Sequence, residues 1–246
     1  MKLQYFGDRR DFYKYDLLLD LGRSLRPKGG ITVIPMLTPD DGGPDGKLRC
    51  GVGRRDAALY RFLESCPERT IGRVADHFKE RGLPMKVTSE EHLLAGNRET
   101  YFAAVEDRDL VDTIVFLDPD NGLEVPSGRG TKYLRYEELR DLLLRMSDSS
   151  VIVVYQHMPR EEHGAFFHKV SRRLFERSAV RQVAFLDMGD LAFIVLARSP
   201  EGFREVSEAL GAYARIRDVK MAAATMAPSF GERPAGDDAS TQESAR

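Results

Sequence analysis

Apolar and polar residues follow two periods along the chain, and these periods predict strands and helices in succession. Short, largely apolar runs, typical of strands buried on both faces of a sheet, lie at residues 31–37, 114–117 and 151–155. Further strand patterns lie at residues 85–88, 180–186 and 191–197. Apolar residues spaced three and four apart predict helices at residues 11–25, 55–65, 68–81, 98–105, 136–146, 160–177 and 202–215.

This succession predicts an α/β protein, arranged as a three-layer Rossmann-like sandwich. Only a short turn separates the last two strands, so we expect a mostly parallel sheet with an antiparallel last strand. Residues 1–220 are predicted to form a single domain. In residues 221–246, Ala, Ser, Pro, Gly and acidic residues dominate, and we expect a disordered tail because this segment can bury little apolar surface.

Composition sets broad limits on function. The chain has 246 residues, of which 42% are hydrophobic, and a formal net charge of −2. This near balance gives no overall attraction to nucleic acid or to an acidic membrane. Cys50 and Cys66 do not have the spacing of a zinc site. No apolar run approaches membrane-spanning length, and the first residues are charged and aromatic, so we expect a cytoplasmic protein with no membrane segment.

The segment DTIVFLDPDNGLE, residues 112–124, is the most informative part of the sequence. Its apolar run ends in Asp118-Pro119-Asp120, and Glu124 follows closely. Because Pro and Gly turn the chain out of the sheet, the carboxylates are expected at the carboxyl end of a strand, where open α/β sheets bind ligands. A capping role would need fewer acids than this. The segment therefore predicts a functional site.

Three other segments are expected at the same edge: residues 38–43, residues 155–160 and the N-terminal residues 7–15. Each also has an ordinary structural interpretation, as a solvated turn, a structural histidine or a surface ion pair of little energetic value. We predict that the side chains brought together in one pocket are Asp40, Asp118, Asp120 and His157.

The layout resembles a known family. The motif Gly7-Asp8-x-x-Asp11-x-x-Lys14-Tyr15, an early strand with a glycine loop, the run ending in Asp118-Pro119 and a later strand ending in Tyr155 resemble the class I S-adenosylmethionine-dependent methyltransferases. The nearest groups are the 23S rRNA adenine-N6 methyltransferases and the three-Cys-motif partner proteins. The segments YFGDRRDFYKY and FLDPDNGLE also resemble a group of bacterial proteins whose function is unknown.

The resemblance implies that S-adenosylmethionine is the cofactor, and that its amino acid part contacts Lys14, Asp40, Asp41, Gly42 and Gly43. Asp118 and Pro119 would take the first half of the family's catalytic tetrad, and Asp120 and His157 complete our candidate catalytic set. Two departures are clear. The early loop lacks a GxGxG pattern, and Asp120-Asn121 replaces Pro-aromatic, which removes the ring that would stack on a flipped base.

Three functions remain open from the sequence. The leading one is a methyltransferase-like enzyme with nucleic acid as the candidate substrate, in which Asp118 and the Pro119 carbonyl orient a substrate amino group. It needs no metal ligands. The alternative is a metal-dependent nuclease or phosphodiesterase in which Asp118, Asp120 and Glu124 hold Mg²⁺ and His157 acts as a base. The third is a catalytically degenerate fold that binds a protein partner.

Overall fold

The computed structural model describes residues 1–40, 42, 51, 53, 55–126, 128 and 130–226. These residues form seven α-helices: α1 (Arg9–Leu25), α2 (Ala57–Ser65), α3 (Ile71–Glu80), α4 (Arg98–Ala103), α5 (Tyr136–Arg145), α6 (His163–Arg177) and α7 (Pro200–Arg217). They also form nine strands: β1 (Ile31–Ile34), β2 (Met85–Val87), β3 (Ile114–Leu117), β4 (Gly122–Leu123), β5 (Tyr133–Leu134), β6 (Val151–His157), β7 (Gln182–Asp187), β8 (Leu191–Ala197) and β9 (Lys220–Thr225). The predicted α/β class is confirmed. No helix in this described part of the chain has the length and apolar character needed to cross a membrane.

Seven strands form one mixed sheet in the order β2-β1-β3-β6-β8-β7-β9, and β4 pairs with β5 separately. The pairs among β2, β1, β3 and β6 are parallel, whereas β8 is antiparallel to both β6 and β7. β9 is antiparallel to β7. The predicted change to antiparallel pairing at the end of the chain is therefore confirmed, although it involves more strands than expected.

Both faces of the sheet are buried. Alternate residues of one strand enter two separate apolar clusters, as Phe116 and Val115 of β3 do. α1, α2, α3 and α7 contribute to the cluster that contains Phe116, and α4, α5 and α6 to the cluster that contains Val115. Burial on both faces explains why the central strands have no polar alternation in the sequence.

The predicted tail is wrong at its beginning. Residues 220–225 form β9, which pairs along its whole length with β7, from Gln182 opposite Thr225 to Asp187 opposite Lys220. The tail prediction considered only how much apolar side-chain surface the segment could bury. Backbone hydrogen bonds to the edge of β7 and the packing of Met221 against the core hold these residues instead. The remainder of the predicted tail, residues 227–246, lies outside the described residues.

Candidate functional site

A cavity of about 260 Å³ lies where β3 and β6 end, beside the first turns of α1. We call it the strand-end cavity. Parallel strands β1, β3 and β6 present their carboxyl ends at this edge. Its lining is mostly polar and consists of Met1, Lys2, Tyr5, Asp8, Arg10, Asp11, Lys14, Asp118, Pro119, Asp120, Asn121, Lys132, Tyr155 and His157.

Asp118 is the most deeply placed carboxylate of this cavity, with 1% of its surface exposed. Its Oδ2 accepts a hydrogen bond from Lys14 Nζ at 2.9 Å. Its Oδ1 is also buried, and it has no hydrogen-bond partner among the described groups. A buried acceptor without a donor is costly, and such atoms in native proteins usually call for an explanation. Asp118 therefore has one oxygen whose hydrogen bond the described groups do not supply.

Lys14 connects the two acids of the site. Its ammonium group lies 2.9 Å from Asp118, 3.1 Å from Asp11 and 4.5 Å from the centre of the Tyr155 ring. Burial alone lowers the pKa of Lys14, but Asp118 and Asp11 outweigh it and raise that pKa well above its usual value, which keeps the side chain charged. The interpretation of Lys14 and Asp11 as a surface ion pair is wrong, because both side chains are buried.

Local structure explains the spacing of the N-terminal motif. Gly7 has φ of +77°, and a Cβ there would lie 2.8 Å from the Leu63 carbonyl oxygen. Asp8 caps α1 by accepting hydrogen bonds from the backbone N–H groups of Arg10 and Asp11. The Asp11 carboxylate accepts the Gly7 N–H at 3.1 Å. One turn later, Lys14 extends along the same face of the helix toward Asp118.

Asp120 also lines the cavity, but its oxygens already have donors. It accepts a hydrogen bond from the Thr38 hydroxyl and lies 2.6 Å from the amino nitrogen of Met1. That nitrogen donates to the Asp118 carbonyl oxygen at 2.9 Å. Burial raises the pKa of Asp120, but the Met1 ammonium and the Thr38 hydroxyl lower it overall. Asp120 thus holds the loop after β3 in place.

The predicted shared pocket is confirmed in part. The strand-end cavity brings together Asp118, Asp120 and His157, together with Pro119, but it does not include Asp40. His157 is half-buried at the end of β6, and its backbone N–H donates to the Asn121 carbonyl oxygen at 3.3 Å. Asp40 is exposed and accepts a hydrogen bond from the Gln4 backbone at 3.4 Å. It lies beyond the end of β1, where the chain has left the sheet.

The described residues of the glycine loop, residues 38–43, contribute little to a cofactor site. Gly42 has φ of +68°, is exposed, and has no atoms near the position of a Cβ. It does not line the strand-end cavity. The predicted residues Asp41 and Gly43 lie outside the described part of the chain.

The alternative magnesium ligands are not assembled. Glu124 is buried, but it bonds Arg177 at 2.9 Å and accepts the Tyr136 backbone N–H at 3.3 Å, and it lines a neighbouring cavity. Pairing of β4 with β5 carries it away from the two aspartates. Within the ranges that the structure describes, no group of three or more His, Cys, Asp or Glu side chains is arranged to hold a metal ion.

Several lining residues were not predicted as site residues. Tyr155 follows the buried Val153 by two positions in β6, so the strand period could have placed it on the α1 side of the sheet. Lys132 reaches the cavity because Asn121 donates its backbone N–H to the Lys132 carbonyl oxygen at 2.9 Å. No pattern in the sequence indicates that contact.

Comparison with known proteins adds little. No protein-family model matches the chain, and no curated protein matches it significantly. The structure has a weak likeness to the crystal structure of protein LPL1258 from Legionella pneumophila strain Philadelphia 1, of the family model DUF519. The TM-score is 0.40 at 10% sequence identity, with 87% of this chain and 97% of that chain covered. A likeness this weak shows nothing about function, and function is therefore inferred from the geometry of the site.

Proposed function

We propose that this protein is an S-adenosylmethionine-dependent methyltransferase-like enzyme that acts on an amino nitrogen of nucleic acid. The observation that carries the proposal is the carboxylate of Asp118. This residue lines the cavity, one of its oxygens is fixed by Lys14, and the other is buried without a partner among the described residues. A substrate N–H group is the ligand that this oxygen lacks.

The fold is consistent with this proposal. The parallel half of the sheet, the antiparallel strands at its far end and the helices that contribute to both apolar clusters fit the predicted three-layer Rossmann-like sandwich. Asp118-Pro119 follows a central parallel strand, at the edge where such sheets bind ligands.

The cavity lining suits the cofactor's amino acid part. It includes the cations Lys2, Arg10 and Lys132, which suit the carboxylate of that part. Lys14 takes a different role from the one that the resemblance implied. Because it bonds both Asp11 and Asp118, it acts on the reaction by holding Asp118. S-adenosylmethionine, when bound, would supply the electrophilic methyl group: its sulfur–methyl bond would break as the nitrogen–methyl bond forms, S-adenosylhomocysteine would leave, and the nitrogen would release one proton to solvent.

The protein's own part is to orient the acceptor. Asp118 Oδ1 accepts a hydrogen bond from the substrate amino group, and the Pro119 carbonyl accepts a second. Both contacts increase electron density on the nitrogen and align it for attack, and alignment of this kind supplies much of the rate of a group transfer. Lys14 keeps the Asp118 carboxylate ionised and fixes its orientation.

Two measurements test the proposal. Calorimetry with S-adenosylmethionine and with Mg²⁺, each added alone, should show binding of the first. Transfer of a labelled methyl group to RNA or DNA should then fall about a hundredfold or more in Asp118→Ala, since it loses the aligning acceptor. Asp40→Ala is the matched control, because Asp40 is exposed and outside the cavity. Binding of Mg²⁺ without S-adenosylmethionine, and equal losses on changing Asp118 or Asp120, would favour the nuclease.

A further inference from the structure

A second cavity, of about 330 Å³, adjoins the strand-end cavity and shares Asn121 and His157 with it. We call it the aromatic cavity, because the rings of Tyr133, Tyr136 and Phe166 line it. Its lining is mostly apolar, whereas that of the strand-end cavity is mostly polar. A polar cavity and an apolar cavity that share two residues can hold two chemically different reactants side by side.

The wall between the two cavities is held in place by Gln156. Its Oε1 accepts the Leu123 backbone N–H at 2.9 Å, and its Nε2 donates to the carbonyl oxygens of Asn121 at 2.9 Å and His157 at 2.8 Å. Gly122 has φ of +104°, and a Cβ there would lie 2.2 Å from the Gln156 side chain. Glycine is therefore required for this close approach, which fixes Asn121 and His157 at the junction.

The rings come from three separate elements. Tyr133 belongs to β5 and is half-buried, Tyr136 begins α5, and Phe166 lies in the first turn of α6. Arg177 lies 4.9 Å from the centre of the Tyr136 ring and pairs with Glu124. Rings and aliphatic side chains with a few polar groups are the usual lining for a planar organic ligand.

We infer that the aromatic cavity binds the planar ring of the methyl acceptor, a nucleobase or an equivalent heteroaromatic ring, and that the ring's amino group reaches Asp118 past His157 and Asn121. This inference rests on the proposed function and names where its substrate binds. The strand-end loop carries Asp120-Asn121 in place of the aromatic residue of the resembling family. Tyr133 of β5, the most exposed of the three rings, supplies the stacking surface missing there, because aromatic side chains stack on bases of any sequence.

The test uses 2-aminopurine, whose fluorescence falls when it stacks, and the chain contains no tryptophan to interfere. The probe is offered as the free ribonucleoside and within a short single-stranded RNA. Tyr133→Ala should weaken binding of both about fivefold to a hundredfold, in line with the loss of one stacking ring. Tyr133→Phe, the matched control, keeps the ring and should bind as the parent protein does. Phe166→Leu removes the ring but keeps an apolar side chain, so it tests the same point at a lower cost to folding than alanine would.

Calorimetry with S-adenosylmethionine on the same variants separates this inference from the proposed function. Tyr133 does not line the strand-end cavity, so its replacement by alanine should leave that affinity unchanged. Unaltered 2-aminopurine binding in both Tyr133→Ala and Phe166→Leu overturns the inference, even if the parent protein binds S-adenosylmethionine. Ring-dependent binding without any affinity for S-adenosylmethionine supports the base site but rejects the methyltransferase.

Discussion

Asp16 and Asp118 are equally buried carboxylates, each with 1% of its surface exposed, but their surroundings differ. Asp16 Oδ2 accepts from the Tyr213 hydroxyl at 2.8 Å and from Arg217 Nε at 3.1 Å, and its Oδ1 accepts from the Asp56 backbone N–H at 2.8 Å. Asp118 bonds Lys14 through one oxygen, and the other has no partner among the described residues. Both acids are therefore buried. The incomplete hydrogen bonding of Asp118 marks it as the functional candidate, whereas Asp16 is a structural acid.

The difference follows from position. Asp16 lies in the middle of α1, where α7 and the residue before α2 supply donors on all sides. Asp118 lies where β3 ends and a cavity begins, and fewer donors surround its carboxylate in the described part of the chain. A buried acceptor without a donor lowers the free energy of unfolding, and proteins are only marginally stable. A ligand that donates the missing hydrogen bond explains why such an acceptor is kept.

The largest expected effect is on stability at Asp16. Asp16→Ala removes one acceptor from each of the Arg217 guanidinium, the Tyr213 hydroxyl and the Asp56 N–H, and we expect a loss of about 3–5 kcal/mol in the free energy of unfolding. Urea denaturation measures it. Asp20→Ala, a half-buried acid on the same helix, is the control and should cost less than about 1 kcal/mol. Similar losses in the two variants would show that the Asp16 contacts contribute little.

The next effect is on activity at Asp118. Asp118→Asn keeps an oxygen that can accept but loses its charge, so we expect methyl transfer to fall about tenfold to a hundredfold without vanishing. Asp120→Asn should lower activity less and stability more, because Asp120 binds Thr38 and the Met1 amino group. Initial rates and thermal midpoints, measured together on both variants, separate the two roles. A reversed order would assign the catalytic role to Asp120.

The third effect is on the pH dependence of activity. Burial raises the pKa of Asp118, and Lys14 opposes this shift. Because the carboxylate is the active form, activity should fall with decreasing pH, at a pH above the ordinary aspartate pKa of about 3.9. Lys14→Met removes the nearest cation and should move this fall to a higher pH. A pH–rate profile that is identical in the parent and in a folded Lys14→Met variant would exclude Asp118 as the titrating group.

The smallest effect concerns Asp56, beside Asp16. Burial favours a higher pKa for Asp56, but its bonds to Arg81 and to the Leu59 backbone, with the charges of Arg81 and Arg23, lower it to about 2. The unfolded value is about 3.9, so Asp56 stabilises the fold above that pH, and the contribution is lost as the pH falls toward 2. Asp56→Asn should flatten the stability curve in this window. Denaturation midpoints from pH 5 downward, compared with Asp76→Asn at an exposed surface acid, test this.

The sequence predicted the main elements because their patterns are local. Every central strand is a short apolar run, and α1 has the three- and four-residue spacing of its apolar residues. β9 was missed because its Lys-Met-Ala-Ala-Ala-Thr sequence has neither an apolar run nor a clear alternation. Its pairing depends on the exposed edge of β7, which a local pattern does not reveal.

The candidate site was predictable in position but not in its contacts. The strand-end rule correctly brought Asp118, Asp120 and His157 together, since parallel strands share an edge. The partner of Asp118 is Lys14, which is 104 residues away, and only the relative placement of α1 and β3 makes the contact. Glu124 was grouped with the aspartates by proximity in sequence, whereas the β4–β5 pairing takes it toward Arg177.

The contacts of Asp16 also bear on the order in which the chain acquires its structure. The bond between Asp16 and Tyr213 spans 197 residues, and the bond to Arg217 spans 201. During synthesis α1 emerges long before α7. The Asp16 carboxylate therefore cannot bond Tyr213 or Arg217 until most of the sheet has been translated. Long-range contacts of this kind slow folding, because the loop-closure entropy must be met before they form. Docking of α7 is therefore the step at which the first helix can become fully buried, and nascent chains that lack α7 should expose this helix to proteases and chaperones.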